Sequence, residues 1–213
     1  MKSIKNEATV CCPNHCEDFE AEYWSLISAD QDPDLKTAAL GGELNLVQCP
    51  ECKAFFHHDG DLIYFDAPAE LLIFIFAEKN RPQEKELRAR MQRDYEIIKN
   101  TLAKQLHIDF PPVCVFGLEM LKQILQEEEK KSFESEAVAA ATAVAGFNVV
   151  RLKPSYAREH HFPYYVPAPA QKATPNAYAV AASKVLKAGL KSPLLLNFKD
   201  WMSQEGATLP LTL

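Results

Sequence analysis

QCPECKAFF, residues 48–56, holds Cys49-Pro50-Glu51-Cys52, two thiols separated by two residues. CCPNHCEDF, residues 11–19, nearly repeats that pattern and slips: counting from Cys12, the third residue on is His15 and the fourth is Cys16. Cys-Pro-x-Cys is the spacing of a metal-binding knuckle, and a structural zinc site needs four soft or borderline ligands, commonly drawn from two knuckles. Cys49 and Cys52 form one. The other comes from Cys11, Cys12, His15 and Cys16. Cys12 and Cys16 have three residues between them, within the range for zinc. Cys12 and His15 have the tighter spacing, and imidazole also ligates zinc. A four-thiolate set of Cys12, Cys16, Cys49 and Cys52 is the first choice, with His15 the alternative to Cys16. Cys11 reads as a spare thiol and Cys114, between two valines, as core. No thioredoxin-like βαβ pattern surrounds either motif, which argues against a redox pair.

Working outward, the first eighty residues are strand-rich. DFEAEYWSLI alternates Phe19, Ala21 and Tyr23 on one face. DLIYFD and LLIFIF are short, β-branched and aromatic, with Ala67-Pro68-Ala69 between them, and predict two strands joined by a turn. DPDLKTAALGG predicts a short helix with Asp32 as cap, Pro33 in the first turn and Gly41-Gly42 as the stop. His57-His58-Asp59 reads as a polar hairpin tip.

The composition changes after residue 79. Residues 80–107 predict a helix, with Asn80 as cap and Leu87, Met91, Tyr95, Ile98, Leu102 and Leu106 on one stripe. A second helix is expected from about residue 115 to 131, the two forming an antiparallel pair. KKSFES separates it from an Ala-rich helix that Gly146 stops. FNVVRL reads as a strand. PSYAREHHFPYYVPAPAQKATP, residues 154–175, carries five prolines and four aromatics and is expected to be extended. His160-His161 within it reads as solvated or partner-facing. A helix is expected again over residues 176–188, and LLLNFKDWMSQEG reads as a final short amphipathic element. The fold class is α+β: a small β-rich, zinc-ribbon-like N-terminal domain (1–79), then a mainly helical C-terminal region, divided into a helical pair (80–131) and residues 132–213.

The 213 residues carry a formal charge of -6, with 47% hydrophobic and 24% charged residues. That balance argues against a general basic field for nucleic acid. MKSIKNEATV has no apolar signal-peptide core, and LLIFIFA is far too short to span a bilayer. A cytoplasmic protein without membrane insertion is expected, where paired cysteines favour metal over disulfides.

Residues 10–78 resemble the CpXC domain family, named for two Cys-Pro-x-Cys motifs. EYWSLISADQDPDLKTAALGGELNLVQCPECK carries the family's Trp-Ser turn, Asp-Pro-x-Leu, Leu-x-Gly-Glu-Leu-Asn and second knuckle in order, and DLIYFD and LLIFIFAE resemble its closing strands. Two positions depart from the pattern. Laid on it without a gap, His15 falls on the second ligand and Cys16 on the following Gly, and Lys53 replaces the Gly after the second knuckle. The resemblance implies a zinc-binding module and no catalytic residues.

No nucleophile elbow, phosphate-cradling Gly loop or HExxH is present. A zinc closed by four thiolates leaves no position for substrate. The expected function is therefore a non-catalytic, zinc-stabilised protein that binds another protein or complex as an accessory subunit. Phe162, Tyr164 and Tyr165 are its candidate anchors. Nucleic-acid binding through a zinc ribbon is the alternative, disfavoured by Glu17, Asp18, Glu20 and Glu22 near the first knuckle. A metal enzyme with an open site, using His15 or His57, is the third.

Overall fold

The computed structural model describes residues 2–102, 108–169 and 174–204. It divides into two compact units, residues 1–126 and 127–213.

The first unit is built on a five-stranded sheet. β1 (Ile4–Val10) pairs antiparallel with β2 (Phe19–Ser28), Val10 opposite Phe19. α1 (Pro33–Gly41) and a separate hairpin of β3 (Leu46–Gln48) and β4 (Phe55–His57) follow. The chain then returns to the sheet as β5 (Leu62–Asp66), parallel to β2, and turns back as β6 (Leu71–Phe76), antiparallel to β5. A 3-10 segment (Glu78–Gln83) and α2 (Glu84–Leu102) lead to β7 (Val113–Phe116), parallel to β6. The order is β1-β2-β5-β6-β7. Each parallel neighbour needs a crossover. α1 and the β3–β4 hairpin lie in one crossover, and α2 lies in the other.

β6 explains the layering. Every residue of it is buried, so both faces of the sheet must be covered there. Leu71, Ile73 and Ile75 pack on one face with Ile27, Leu44, Leu121 and Leu125. Leu72, Phe74 and Phe76 pack on the other with Met91, Tyr95 and Phe116. The predicted stripe of α2 is thus real at Met91 and Tyr95, and the Tyr95 hydroxyl donates to the Phe110 carbonyl at 2.9 Å. Leu106 lies outside the described residues.

α3 (Leu118–Val144) contributes Leu121 and Leu125 to the first face, so α2 and α3 cover opposite faces of the sheet. They do not form the antiparallel pair expected between residues 80 and 131. The sheet itself continues past residue 79, because VCVF forms β7 where a helix start was expected. Four contiguous apolar residues before Gly117, whose φ is +75°, make a strand and a turn. KKSFES does not break the helix either. Nothing between Gly117 and Gly146 is a glycine or proline, and the Ser135 hydroxyl turns back onto the Lys131 carbonyl at 2.6 Å.

The second unit holds the end of α3, β8 (Asn148–Arg151), α4 (Pro154–Glu159), β9 (Tyr165–Ala168), α5 (Pro175–Lys187) and α6 (Pro193–Met202). Thr174 and Ser192 cap the last two helices, accepting from the Ala177 and Leu195 amides. The proline-rich segment is not extended throughout. Pro154 opens α4, and β9 pairs antiparallel with β8. A two-stranded sheet consists of edges, where Pro167 is tolerated. Phe162, Tyr164 and Val166 are 1%, 9% and 0% exposed, inside a core with Val138, Leu152 and Phe198, and Tyr165 packs partly buried against it. The aromatic anchors expected to face a partner are core residues: rings of this size gain more from burial than an unfolded segment could hold in water. Residues 170–173 lie outside the described residues.

Beside that core, Lys131 donates to the Ala157 carbonyl at 2.6 Å and lies 5.2 Å over the Tyr164 ring. The Tyr164 hydroxyl bonds Glu128, which also meets Arg158 at 3.4 Å. Burial brings the Lys131 ammonium down to about 8 from the usual 10.5, against the attraction of Glu128. An unfolded chain then binds more protons at this site than the folded one between those two values, so this lysine adds stability as pH rises through that window. Burial raises the Tyr164 phenol, which acts in the opposite direction above about pH 10. Urea unfolding followed through Trp201 in a Trp24→Phe background should therefore show the second unit gaining stability between about pH 8 and 10. Lys131→Met should remove that gain, and an unchanged pH profile in the variant would refute the assignment.

Candidate metal centre

Both knuckles are loops at hairpin ends. The first joins β1 to β2, and the second joins β3 to β4. Phe19 at the base of one loop meets Phe56 at the base of the other, edge to face with ring centres 6.3 Å apart. Asn45 fixes the second hairpin to the sheet. Its side-chain oxygen accepts the Trp24 amide at 2.7 Å and its NH2 donates to the Trp24 carbonyl at 3.0 Å, while its backbone carbonyl accepts from His58 at 2.9 Å. Asn45 has φ +55°, a region that asparagine tolerates better than most residues.

The result is a cluster of Cys12, Cys16, Cys49 and Cys52, whose sulfurs all lie within 4.8 Å of one another. Cys12 Sγ and Cys52 Sγ are 3.6 Å apart. Thiolates at ~2.3 Å around one ion form a tetrahedron with edges of roughly 3.8 Å, so the spacing fits a single metal. Cys12 and Cys49 are buried, Cys16 is half-buried and Cys52 is exposed.

The slip in the first knuckle has a backbone explanation. In the second loop, Lys53 follows the second thiol, has φ +62°, and donates its amide to the Cys49 carbonyl at 3.1 Å. In the first loop, His15 has φ +58° and donates its amide to the Cys12 carbonyl at 2.9 Å. The left-handed residue therefore comes before the second thiol in one knuckle and after it in the other. That reversal brings Cys16 into the cluster and leaves His15 outside it. It also accounts for Lys53 standing where the family pattern has Gly, since a left-handed position favours glycine without requiring it.

The sulfurs differ in charge preference. The Ala54 amide and the Asn14 side chain bring Cys52 down to about 6, a thiolate at neutral pH. Asn14 Nδ2 lies 3.4 Å from Cys52 Sγ, and the Asn14 amide lies 3.4 Å from Cys12 Sγ. Desolvation pushes Cys12 and Cys16 up. Four sulfurs this close cannot all be anionic unless a cation is shared among them. The donor set is soft and complete, and it fits a divalent metal.

The other sequence candidates lie elsewhere. His57 Nδ1 is 3.0 Å from the Leu44 carbonyl, which can only accept, so the ring donates there. His58 packs on Tyr23, with ring centres 4.4 Å apart. His160 stacks on Tyr156 at 4.0 Å. Cys11 is exposed and Cys114 is half-buried against the α2 side of the core. Sequence reading missed Asn14 and Asn45. An asparagine inside the knuckle is a signal for Asn14, whereas Asn45 is recognisable only once Trp24 is beside it.

The chain matches the model of the CpXC protein family over residues 10–139. It belongs to that family. The match runs from the first knuckle into α3, well beyond the stretch ending at residue 78 that carries the visible motifs. No curated protein and no solved structure matches the chain. Family and cluster together indicate metal binding. No described helix is long and apolar enough to cross a membrane.

Asn45→Ala should lower the stability of the first unit by several kcal/mol at most, at about 1–3 kcal/mol for each Trp24 backbone group left without a partner. Urea denaturation monitored through Trp24 measures it. Equal midpoints for variant and parent would show that Asn45 does not tie the hairpin down.

Proposed function

We propose that this protein is a non-catalytic, zinc-stabilised binding module, with Cys12, Cys16, Cys49 and Cys52 ligating one Zn2+ in a zinc-ribbon-like arrangement of two hairpin knuckles. The observation that carries the reading is the closure of four sulfurs within 4.8 Å. A tetrathiolate zinc has no open position, so its contribution is folding energy rather than water activation. Asn14 supports the thiolates from outside the ligand shell, as such partners do in metal sites. Six free thiols suit a reducing compartment, which makes the cytoplasm the proposed location.

The partner is another protein, met through the hairpin that the metal holds. β3 and β4 alternate cleanly: Val47 and Phe56 face inward, while Leu46 and Phe55 are 44% and 64% exposed. An aromatic exposed to that degree on a stapled hairpin is a rigid anchor of the kind interfaces use. Acids near the metal loops, Glu17, Asp18 and Glu51, disfavour a phosphate backbone as the surface met there.

Freshly purified protein should contain about one zinc per chain. Cobalt exchanged into the site should give the intense charge-transfer bands of four sulfurs. Cys49→Ser should lose the metal and unfold the first unit, while His15→Ala keeps both. Metal-free protein with an intact first unit, or a cobalt spectrum showing a nitrogen ligand, would end this assignment.

Phe55→Ala tests the partner surface separately. It should leave zinc content and melting temperature unchanged and weaken association with any stoichiometric partner isolated with the native protein. Undiminished association would move the interface elsewhere.

A further inference from the structure

The first unit contains a pocket of about 260 Å³ that none of the four clustered thiols lines. Its walls come from the end of α1, the residues on either side of the β3–β4 hairpin, and the first turns of α3. The floor is apolar, made by Ala39, Leu44, Leu118 and Leu121. Leu44 and Leu121 are 3% and 1% exposed and belong to the sheet core, so the floor is fixed by packing. The volume is just below that of ~300–1,000 Å³ sites for drug-sized ligands. It holds about nine water-sized groups at ~30 Å³ each.

The charged groups on the rim are of both signs. Lys122 and Glu119 lie one turn apart on α3, and Asp59 also lines the pocket, with one carboxylate oxygen accepting the Glu78 amide at 2.9 Å. Among the described residues, neither the Lys122 nor the Glu119 side chain has a hydrogen-bond or ion-pair partner. Gly42, which also lines the pocket, leaves room beside it for the Lys122 ammonium. A Cβ there would stand 3.1 Å from the lysine Nζ. The φ of +76° at Gly42 ends α1 and keeps the position glycine for a second reason.

An apolar floor, a free cation and a free carboxylate select a ligand with the matching three parts. A simple carboxylic acid would satisfy Lys122 and meet two acids, and a simple amine would do the reverse. We propose that this pocket binds a free apolar α-amino acid of about leucine size, its side chain on the floor, its carboxylate answered by Lys122 and its ammonium by Glu119. This site is independent of the metal assignment. It gives the module a small-molecule input in addition to a protein partner.

Calorimetric titration of the full zinc-replete chain with L-leucine, L-valine, L-methionine and L-phenylalanine tests it. Saturable one-to-one binding is expected for at least L-leucine. Isocaproate, which lacks the ammonium, and isoamylamine, which lacks the carboxylate, should each bind about tenfold or more weaker, the usual scale for losing one charge-assisted contact. Lys122→Met should impose the same loss on L-leucine with zinc content and melting temperature unchanged. Glu119→Gln serves as the second variant if the first does not fold. Absence of saturable binding by all four amino acids would overturn the proposal, as would undiminished binding in both variants. Equal affinity for the uncharged N-acetyl-leucinamide would also overturn it, by reassigning the pocket to an apolar side chain of a protein partner.

Discussion

Asn45 commits both ends of its amide to one residue, Trp24, and its own carbonyl to His58. Trp24 is in β2, part of the main sheet, whereas Asn45 leads directly into the β3–β4 hairpin. The hairpin pairs with no strand of that sheet. Its position relative to β2 depends on this amide, on the packing of Val47 and Leu44, and on the Phe19–Phe56 contact. The two knuckles sit on separate sheets and are brought together by these contacts. Moving the hairpin by an ångström or two would open the sulfur cluster, so the metal centre depends on an interaction between residues that ligate nothing.

The sequence shows chemistry more clearly than topology in this chain. The four clustering thiols were recognisable because knuckle spacing is a local property. So were β5 and β6, two short β-branched and aromatic runs either side of a proline turn, and α1, bounded by Pro33 and the two glycines. β1 was not recognised. IKNEATV is exposed almost throughout, and an edge strand without a buried face leaves little periodicity to read. The expected helix start at about residue 115 falls inside VCVF because four residues cannot distinguish a short strand from a first turn. The placement of α2 and α3 on opposite faces was also hidden, since an apolar stripe says that a helix is covered and not what covers it.

The second unit shows how composition can mislead. Five prolines and a run of aromatics suggest an extended docking arm. The same residues make a closed core once Pro154 opens a helix and Pro167 takes an edge position. Tyr164 illustrates the change: its amide donates to Ser135 Oγ at 2.9 Å, and its hydroxyl is committed to Glu128. A residue with both polar ends satisfied inside its own unit has nothing left to offer another molecule. Surface apolar residues such as Phe55, less conspicuous in the sequence, have that freedom instead.

The separation of the two knuckles along the chain has a further consequence. Cys12 and Cys52 touch across 40 positions, and β2, α1 and β3 lie inside that span. An ion shared by the two loops would make this stretch a closed ring. A cross-link spanning a ring of that size removes about 4 kcal/mol worth of disorder from a denatured chain in the chain-entropy treatment used for disulfides. Unlike a disulfide, it would act on thiols kept reduced, and it would be withdrawn when the ion is taken away. The stability of the first unit would then follow the availability of free metal, even though the contacts of its folded state stay the same.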